Sequence, residues 1–328
     1  METGELDDTV YLYRISSISS ERPLRPGMNI LIGTASWTDP TLLACGRFYP
    51  AAARTPQARL QYYATRFGMA EIDASFYALP DPHTAYLWAQ RTPPGFVFNI
   101  KAFRLFTGHQ TPRAALPADL RREVPGAGDA VFDDQVPGAV RDELWRRYVL
   151  ALEPLRQAGK LGAVHCQFAP WVRREARGVA RVRDCAARLR DAGGLVMAAE
   201  MRHASWFDSA AASNWTLALE RELELVHTVV DSPQGFANSV PPVWARTHPE
   251  LALVRLHGRN AGAWNSRAAA SSSRFQYEYS PQELAELAER VRRLAERARQ
   301  THAVFNTNYE DQGACATRPG WRRRWRPS

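Results

Sequence analysis

Arg255, His257 and Arg259 alternate with apolar neighbours in LALVRLHGRN (251–260), and polar alternation recurs at the ends of five other apolar runs. Glu71 and Asp73 close MAEID, Asn99 and Lys101 close FVFNIK, and His165 and Gln167 close AVHCQ. Glu200 and Arg202 close VMAAEMR, and Asp231 closes HTVVD. These residue types suit proton transfer on an anion. Lys101, Arg202, Arg255 and Arg259 supply cations, and a planar guanidinium matches the oxygens of a phosphate or carboxylate. Glu200 or Asp231 would act as general base and His257 or His203 as acid, with Glu71 a further carboxylate. Lys101 has a second chemistry, a Schiff base, if burial and nearby arginines depress its pKa. Glu200, His203, Asp231 and His257 also form a ligand set for a divalent metal, although the surrounding arginines would repel a cation. Paired with one another, the same charges would make a self-satisfied network instead.

Such residues meet only if the runs that carry them are parallel strands with their C-terminal ends at one rim. The remaining pattern supplies that arrangement. TPQARLQYYATRF (55–67) reads as a helix with Thr55 as N-cap and Pro56 in its first turn, and PHTAYLWAQRT (82–92) as another beginning at a proline. MAEIDASFY between them reads as a strand. GAVRDELWRRYVLALEPLRQ, ARGVARVRDCAARLRDAG, SAAASNWTLALEREL and SPQELAELAERVRRLAERARQ continue the helices, with short apolar strands between. Strands alternating with amphipathic helices imply βαβ units. About eight strands fit a TIM-like (β/α)8 barrel. Barrel strands face helices on one side and the axis on the other, so the polar alternates point inward. Two long segments, 103–138 and 258–280, fall in loops at the functional face; they read as lids or as insertions without fixed structure.

The chain has 328 residues, 45% hydrophobic and 23% charged, ordinary for a globular protein with a packed core. Its net charge of +8 is concentrated at the end. RPGWRRRWRPS (318–328) holds five arginines and no acid, and without them the charge falls to +3. That tail supports a nucleic-acid-binding reading, with arginine on phosphates and tryptophan on bases, or a merely solvated terminus. Cys45, Cys166, Cys185 and Cys315 form no Cys-x-x-Cys pair, the start lacks a signal-peptide pattern, and no apolar run is long enough to span a bilayer. A reduced, cytoplasmic protein without membrane contact is expected. The boundaries read as a polar leader (1–28), one barrel domain (29–313) and the Arg/Trp-rich tail (314–328).

The stretches IGTASW, EIDASFYALPDPHTAYLWAQRTPPGFVFNIKA, QFAPW, EMRHASWF, VVDSP, VRLHGRN and FNTNYEDQG together resemble the YecE-like family, also called domain of unknown function 72. The resemblance spans roughly 30 to 313. It implies a TIM-like barrel and a loose relationship to sugar isomerases, without fixing a reaction. Its polar positions here are Glu71, Lys101, His109, Gln167, Glu200, Arg202, His203, Asp231, Arg255, His257, Arg259 and Asn306. The chain departs at its end, where ACATRPGWRRRWRPS replaces a last amphipathic helix, so the final helix is incomplete or replaced. Trp37, Phe76, Tyr77, Trp171, Trp206 and Trp264 lie in or beside the same loops, as a stacking wall or as loop packing. The expectation is an enzyme moving a proton on a small anionic, sugar-derived substrate, isomerase-like, with no cofactor beyond a possible divalent metal. A nucleic-acid-binding or phosphodiester-processing barrel and a non-catalytic metabolite- or partner-binding barrel are the alternatives.

Overall fold

In the computed structural model, residues 29–265, 275–307 and 309–313 are described. The leader 1–28, the tail 314–328 with its nucleic-acid and final-helix expectations, and residues 266–274 of the second long loop lie outside them. The chain opens with β1 (Asn29–Thr34), α1 (Pro40–Cys45), α2 (Pro56–Arg66), β2 (Met69–Ile72), α3 (Ala74–Tyr77), α4 (Pro82–Gln90) and β3 (Val97–Lys101). Next come β4 (Thr111–Pro112), α5 (Ala118–Arg121), β5 (Ala130–Val131), α6 (Gly138–Gln157) and β6 (Leu161–Gln167). The rest is α7 (Ala176–Asp191), β7 (Met197–Glu200), α8 (Ala210–Glu222), β8 (Val226–Asp231), β9 (Leu251–Leu256), α9 (Pro281–Ala295) and β10 (Gln300–Phe305).

Local chemistry sets several helix starts. Thr55 Oγ1 accepts from the Ala58 amide, Asp81 Oδ2 from Thr84, and Ser280 with Glu283 makes a reciprocal capping box, each just before a proline. MAEIDASFY is a strand only to Ile72. Asp73 turns the chain into α3, which differs from the longer strand expected there. The 103–138 insertion is ordered, with the antiparallel β4–β5 pair and α5 inside it. The β8–β9 crossover (232–250) contains no helix; Pro233, Pro241, Pro242 and Pro249 deprive it of amide donors.

Eight strands form one parallel sheet in the order β2-β3-β6-β7-β8-β9-β10-β1, curled into a nearly closed barrel with helices outside. Inside, Met69, Val97, Ala163, Ala198, Val226, Leu253 and Val304 pack into an apolar floor. Two residues further along each strand the inward side chain becomes polar: Glu71 after Met69, Asn99 after Val97, His165 after Ala163, Glu200 after Ala198, Arg255 after Leu253. That two-residue step separates a barrel floor from a functional mouth.

The strand β8 runs in the opposite phase to the one expected. Its polar residues fall on both phases, His227 and Asp231 on one and Thr228 on the other, so alternation left no single cue. Asp231 pairs in register with Leu256, which packs on the α9 side, so Asp231 faces the helix layer and Val226 and Thr228 face inward.

Between β1 and β2 the barrel is closed by a side chain. Tyr63 of α2, fully buried, accepts from the Thr34 amide at 2.8 Å and donates to the Met69 carbonyl at 3.1 Å. Its hydroxyl occupies the place of a ladder bond. The strands meet closely here: a Cβ at Gly33 would lie 2.2 Å from the Met69 carbonyl oxygen. Tyr63→Phe strands a buried amide and is expected to cost about 1–3 kcal/mol in urea unfolding. A change below about 0.5 kcal/mol, the level of an ordinary surface substitution, would deny the hydroxyl this role.

Candidate functional site

Arg255 is the hub of the barrel interior. It is 0% exposed, and its Nη2 donates to Glu71 Oε1 at 2.5 Å while Nη1 donates to Glu200 Oε2 at 2.7 Å. His165 lies between the same carboxylates, Nδ1 at 3.5 Å from Glu71 and Nε2 at 3.2 Å from Glu200. The other Glu200 oxygen accepts from Gln167 Nε2 at 2.6 Å and Arg202 Nη1 at 3.3 Å, with His257 Nε2 also at 3.3 Å. Asn306 Nδ2 donates to His257 Nδ1 at 2.8 Å. Gly258, at φ +80°, lets the chain turn right after His257; a Cβ there would strike Tyr277 at 2.4 Å.

Burial alone would raise the Glu200 carboxyl, but the charge of Arg255, seconded by His257, holds it well below the usual carboxylate range. Burial outweighs Glu200 at His257 and pushes the imidazole down to about 4, so it is neutral at pH 7. Glu200 is therefore an ionised anchor with both oxygens engaged. A carboxylate so stabilised is a weak base. It serves to fix Arg202, Gln167 and His257.

A second set of polar groups, from the buried Lys101 to the exposed Tyr77, lies above this layer. Lys101, at the end of β3, stands 3.3 Å from Asp73 and 4.7 Å from the centroid of Phe76. Arg104 covers the same ring at 5.2 Å, and no described carboxylate pairs with it. Arg202 lies 5.0 Å over Trp264. His109 senses all three. Burial, with the charges of Lys101, Arg104 and Arg202, pushes its imidazole down to about 3. Tyr77 stands exposed beside Phe76 at 5.1 Å. A cavity of about 180 Å³ opens along β2 and the β1–α1 loop, with Glu71, Asp73 and Trp37 in its wall.

Ten predicted residues thus converge: Glu71, Lys101, His109, Gln167, Glu200, Arg202, Arg255, His257, Asn306 and Tyr77. Three stand apart. Asp231 is gripped by Arg259 at 2.9 and 3.1 Å and by the Tyr279 hydroxyl at 2.7 Å, in a cluster against α9 that includes Glu283. Arg259 is consumed in that cluster. His203 turns to Ser205, its Nδ1 accepting the Ser205 amide at 3.1 Å. Asp231 faces the helix layer and His203 has its Nδ1 on Ser205, so neither is placed among the mouth groups. The metal set Glu200, His203, Asp231 and His257 does not fit an ion, because Asp231 and His203 are engaged elsewhere. Among the described residues no group of three or more His, Cys, Asp or Glu is arranged to hold one.

Asp73, Arg104 and His165 join the site beyond the expected list. The alternation placed His165 and Asp73 inward without marking a role. Arg104 lies in a loop with no periodicity, and its place three residues past Lys101 is its one sequence signal. No described helix is long and apolar enough to cross a membrane.

A family model described as "Protein of unknown function DUF72" matches residues 31–319. The UPF0759 protein YunF of Bacillus subtilis (strain 168) is 31% identical over 282 residues, covering 85% of this chain and 89% of its own. A crystal structure of a DUF72 family protein from Enterococcus faecalis V583 matches with a TM-score of 0.70 at 23% identity, over 90% of this chain and 95% of that one. One from Thermotoga maritima MSB8 matches at 0.66 and 23% identity, over 90% and 98%. The solved structures carry the fold.

Proposed function

Because the chain belongs to the DUF72 family, whose description names no reaction, we propose from the mouth itself that it is an enzyme moving a proton on a small anionic, sugar-derived substrate. The observation that carries this reading is the gathering of Lys101 and Arg104 over the ring of Phe76, at 4.7 and 5.2 Å, with His109 4.9 Å from the same ring. Arg255 and Arg259, which the sequence also offered as clamps, are already neutralised by buried carboxylates. Lys101 lies 3.3 Å from Asp73 and Arg202 3.3 Å from Glu200, while Arg104 meets no described carboxylate. A phosphate or carboxylate would pair with Arg104.

The roles follow from position and charge. Lys101, Arg104 and Arg202 receive the anion. Asp73, partly exposed and 3.3 Å from Lys101, takes and returns the proton. Neutral His109 offers a hydrogen bond without competing for the anion. Glu200 holds Arg202 and Gln167 in place from below.

The test is ligand stabilisation with a panel of sugar phosphates and sugar carboxylates. Ligand at about 100 times Kd adds about 2.7 kcal/mol. At least one anion is expected to stabilise the protein. Arg104→Gln should weaken its binding about 10- to 100-fold, the worth of a hydrogen bond to a charged group, while leaving the ligand-free melting point in place. Deuterium entering a carbon of that ligand in heavy water would report turnover, and Asp73→Asn should slow it about 10²- to 10⁴-fold. If no anion stabilises, or Arg104→Gln binds as well as wild type, the reading fails. Binding without exchange would make the barrel a metabolite binder.

A further inference from the structure

We propose that the cavity between the 103–138 insertion and the start of α7 is a subsite for a neutral saccharide ring stacked on Trp171. This deepens the reading above: it rests on it for the anionic head and names the rest of the substrate. The cavity holds about 310 Å³, within the range of small-molecule sites. Trp171 and Phe132 line it, and both are open to solvent, 52% and 38% exposed. Trp171 is nonetheless fixed. Its indole Nε1 donates to the Gly108 carbonyl at 2.9 Å, and Phe132 meets it edge-on at 6.1 Å and 78°. A large ring held rigid yet half uncovered is a platform: it loses little freedom when a ligand covers it.

The lining charges choose the ligand. Three arginines face three acids, and two pairs are formed, Arg181 with Asp133 at 3.0 Å and Arg177 with Asp134 at 2.6 Å. The net charge is zero, so nothing favours an anion here, in contrast to the mouth. A purely apolar ligand would strip water from those ions without replacing its hydrogen bonds. A ring with C–H faces and hydroxyl edges meets both demands, its face on Trp171 and its hydroxyls on the guanidinium and carboxylate oxygens. Trp171 also joins the two regions, because it contacts His109 at 6.0 Å and 67°. A sugar bearing an anionic group can therefore straddle it, head among Lys101, Arg104 and Arg202 and second ring in the cavity.

Saturation-transfer NMR with cellobiose, maltose and N-acetylglucosamine tests this, with glucose 6-phosphate and adenosine alongside. At least one neutral saccharide is expected to show transfer to C–H protons of one ring face. Its affinity should fall at least tenfold in Trp171→Ala, recover in Trp171→Phe, and stay unchanged in Arg104→Gln. The urea midpoint of each variant confirms folding. No transfer to any neutral saccharide, transfer to adenosine alone, or unaltered binding in Trp171→Ala would overturn the subsite. Anion binding lost in Arg104→Gln with no saccharide binding would remove the subsite and leave the mouth reading intact. A Trp171-dependent saccharide with no anion binding would do the reverse.

Discussion

Arg255→Met is expected to destabilise the protein by about 3–5 kcal/mol, a large share of the stability of a typical domain. Methionine preserves most of the length and apolar stem but leaves Glu71 and Glu200 buried together without their shared cation. The loss measures stranded charge, not the net worth of the network: exchanging all members for apolar groups could be neutral, whereas removing one is not. Arg255→Lys keeps a charge but cannot span both carboxylates, so it should fall between. The pH response separates this cause from simple cavity formation. Without Arg255 the Glu200 carboxyl loses the chief charge holding it low, and its folded pKa rises. A group raised in the folded state is stabilising below its unfolded pKa and loses that as pH climbs. The variant should therefore recover part of its deficit on mild acidification, as read by urea unfolding followed by circular dichroism. An Arg255→Met midpoint equal to wild type would mean that the carboxylates have another cation.

Much of this arrangement was legible because alternation is a strong signal when one face is apolar. MAEI, FVFNIK and LALVRL each carry their polar residues on one phase, and the structure keeps that phase. The helix starts at Pro56, Pro82 and Pro281 were legible from their caps. Alternation fails at VHTVVD, where His227 and Asp231 lie on one phase and Thr228 on the other, and register with β9 turns Asp231 outward. The seam could not be read either, since a helix tyrosine standing in for a strand bond leaves no local pattern. Whether a cation is available is likewise a matter of distance: Arg255 bridges two carboxylates, whereas Arg104 lies over Phe76 with no described carboxylate paired to it.

Stability should fall by about 4 kcal/mol between about pH 7 and about pH 5 through His257 and His302. His302 is fully buried in the floor, its Nδ1 donating to Asn99 Oδ1 at 3.0 Å with Gln300 at the other nitrogen, and burial pushes it down to about 3. Burial likewise brings His257 to about 4 against the attraction of Glu200. Both start from 6.5 in the unfolded chain. A group depressed in the folded state is stabilising above its unfolded pKa and loses that stability as pH falls toward the folded value. The unfolded chain binds the protons that the folded barrel refuses, at about 1.4 kcal/mol per pH unit for each histidine. His109, pushed down to about 3, adds to the same slope, and so do His203 and His248, both lowered by burial. Glu200 lies well below 4.5 and leaves this window untouched. Urea midpoints at the two pH values check the slope. His302→Gln keeps an amide for Asn99 and removes one titration, so the share of these two histidines should drop to about 2 kcal/mol. A variant that loses as much as wild type would mean that His302 already carries its proton in the folded barrel.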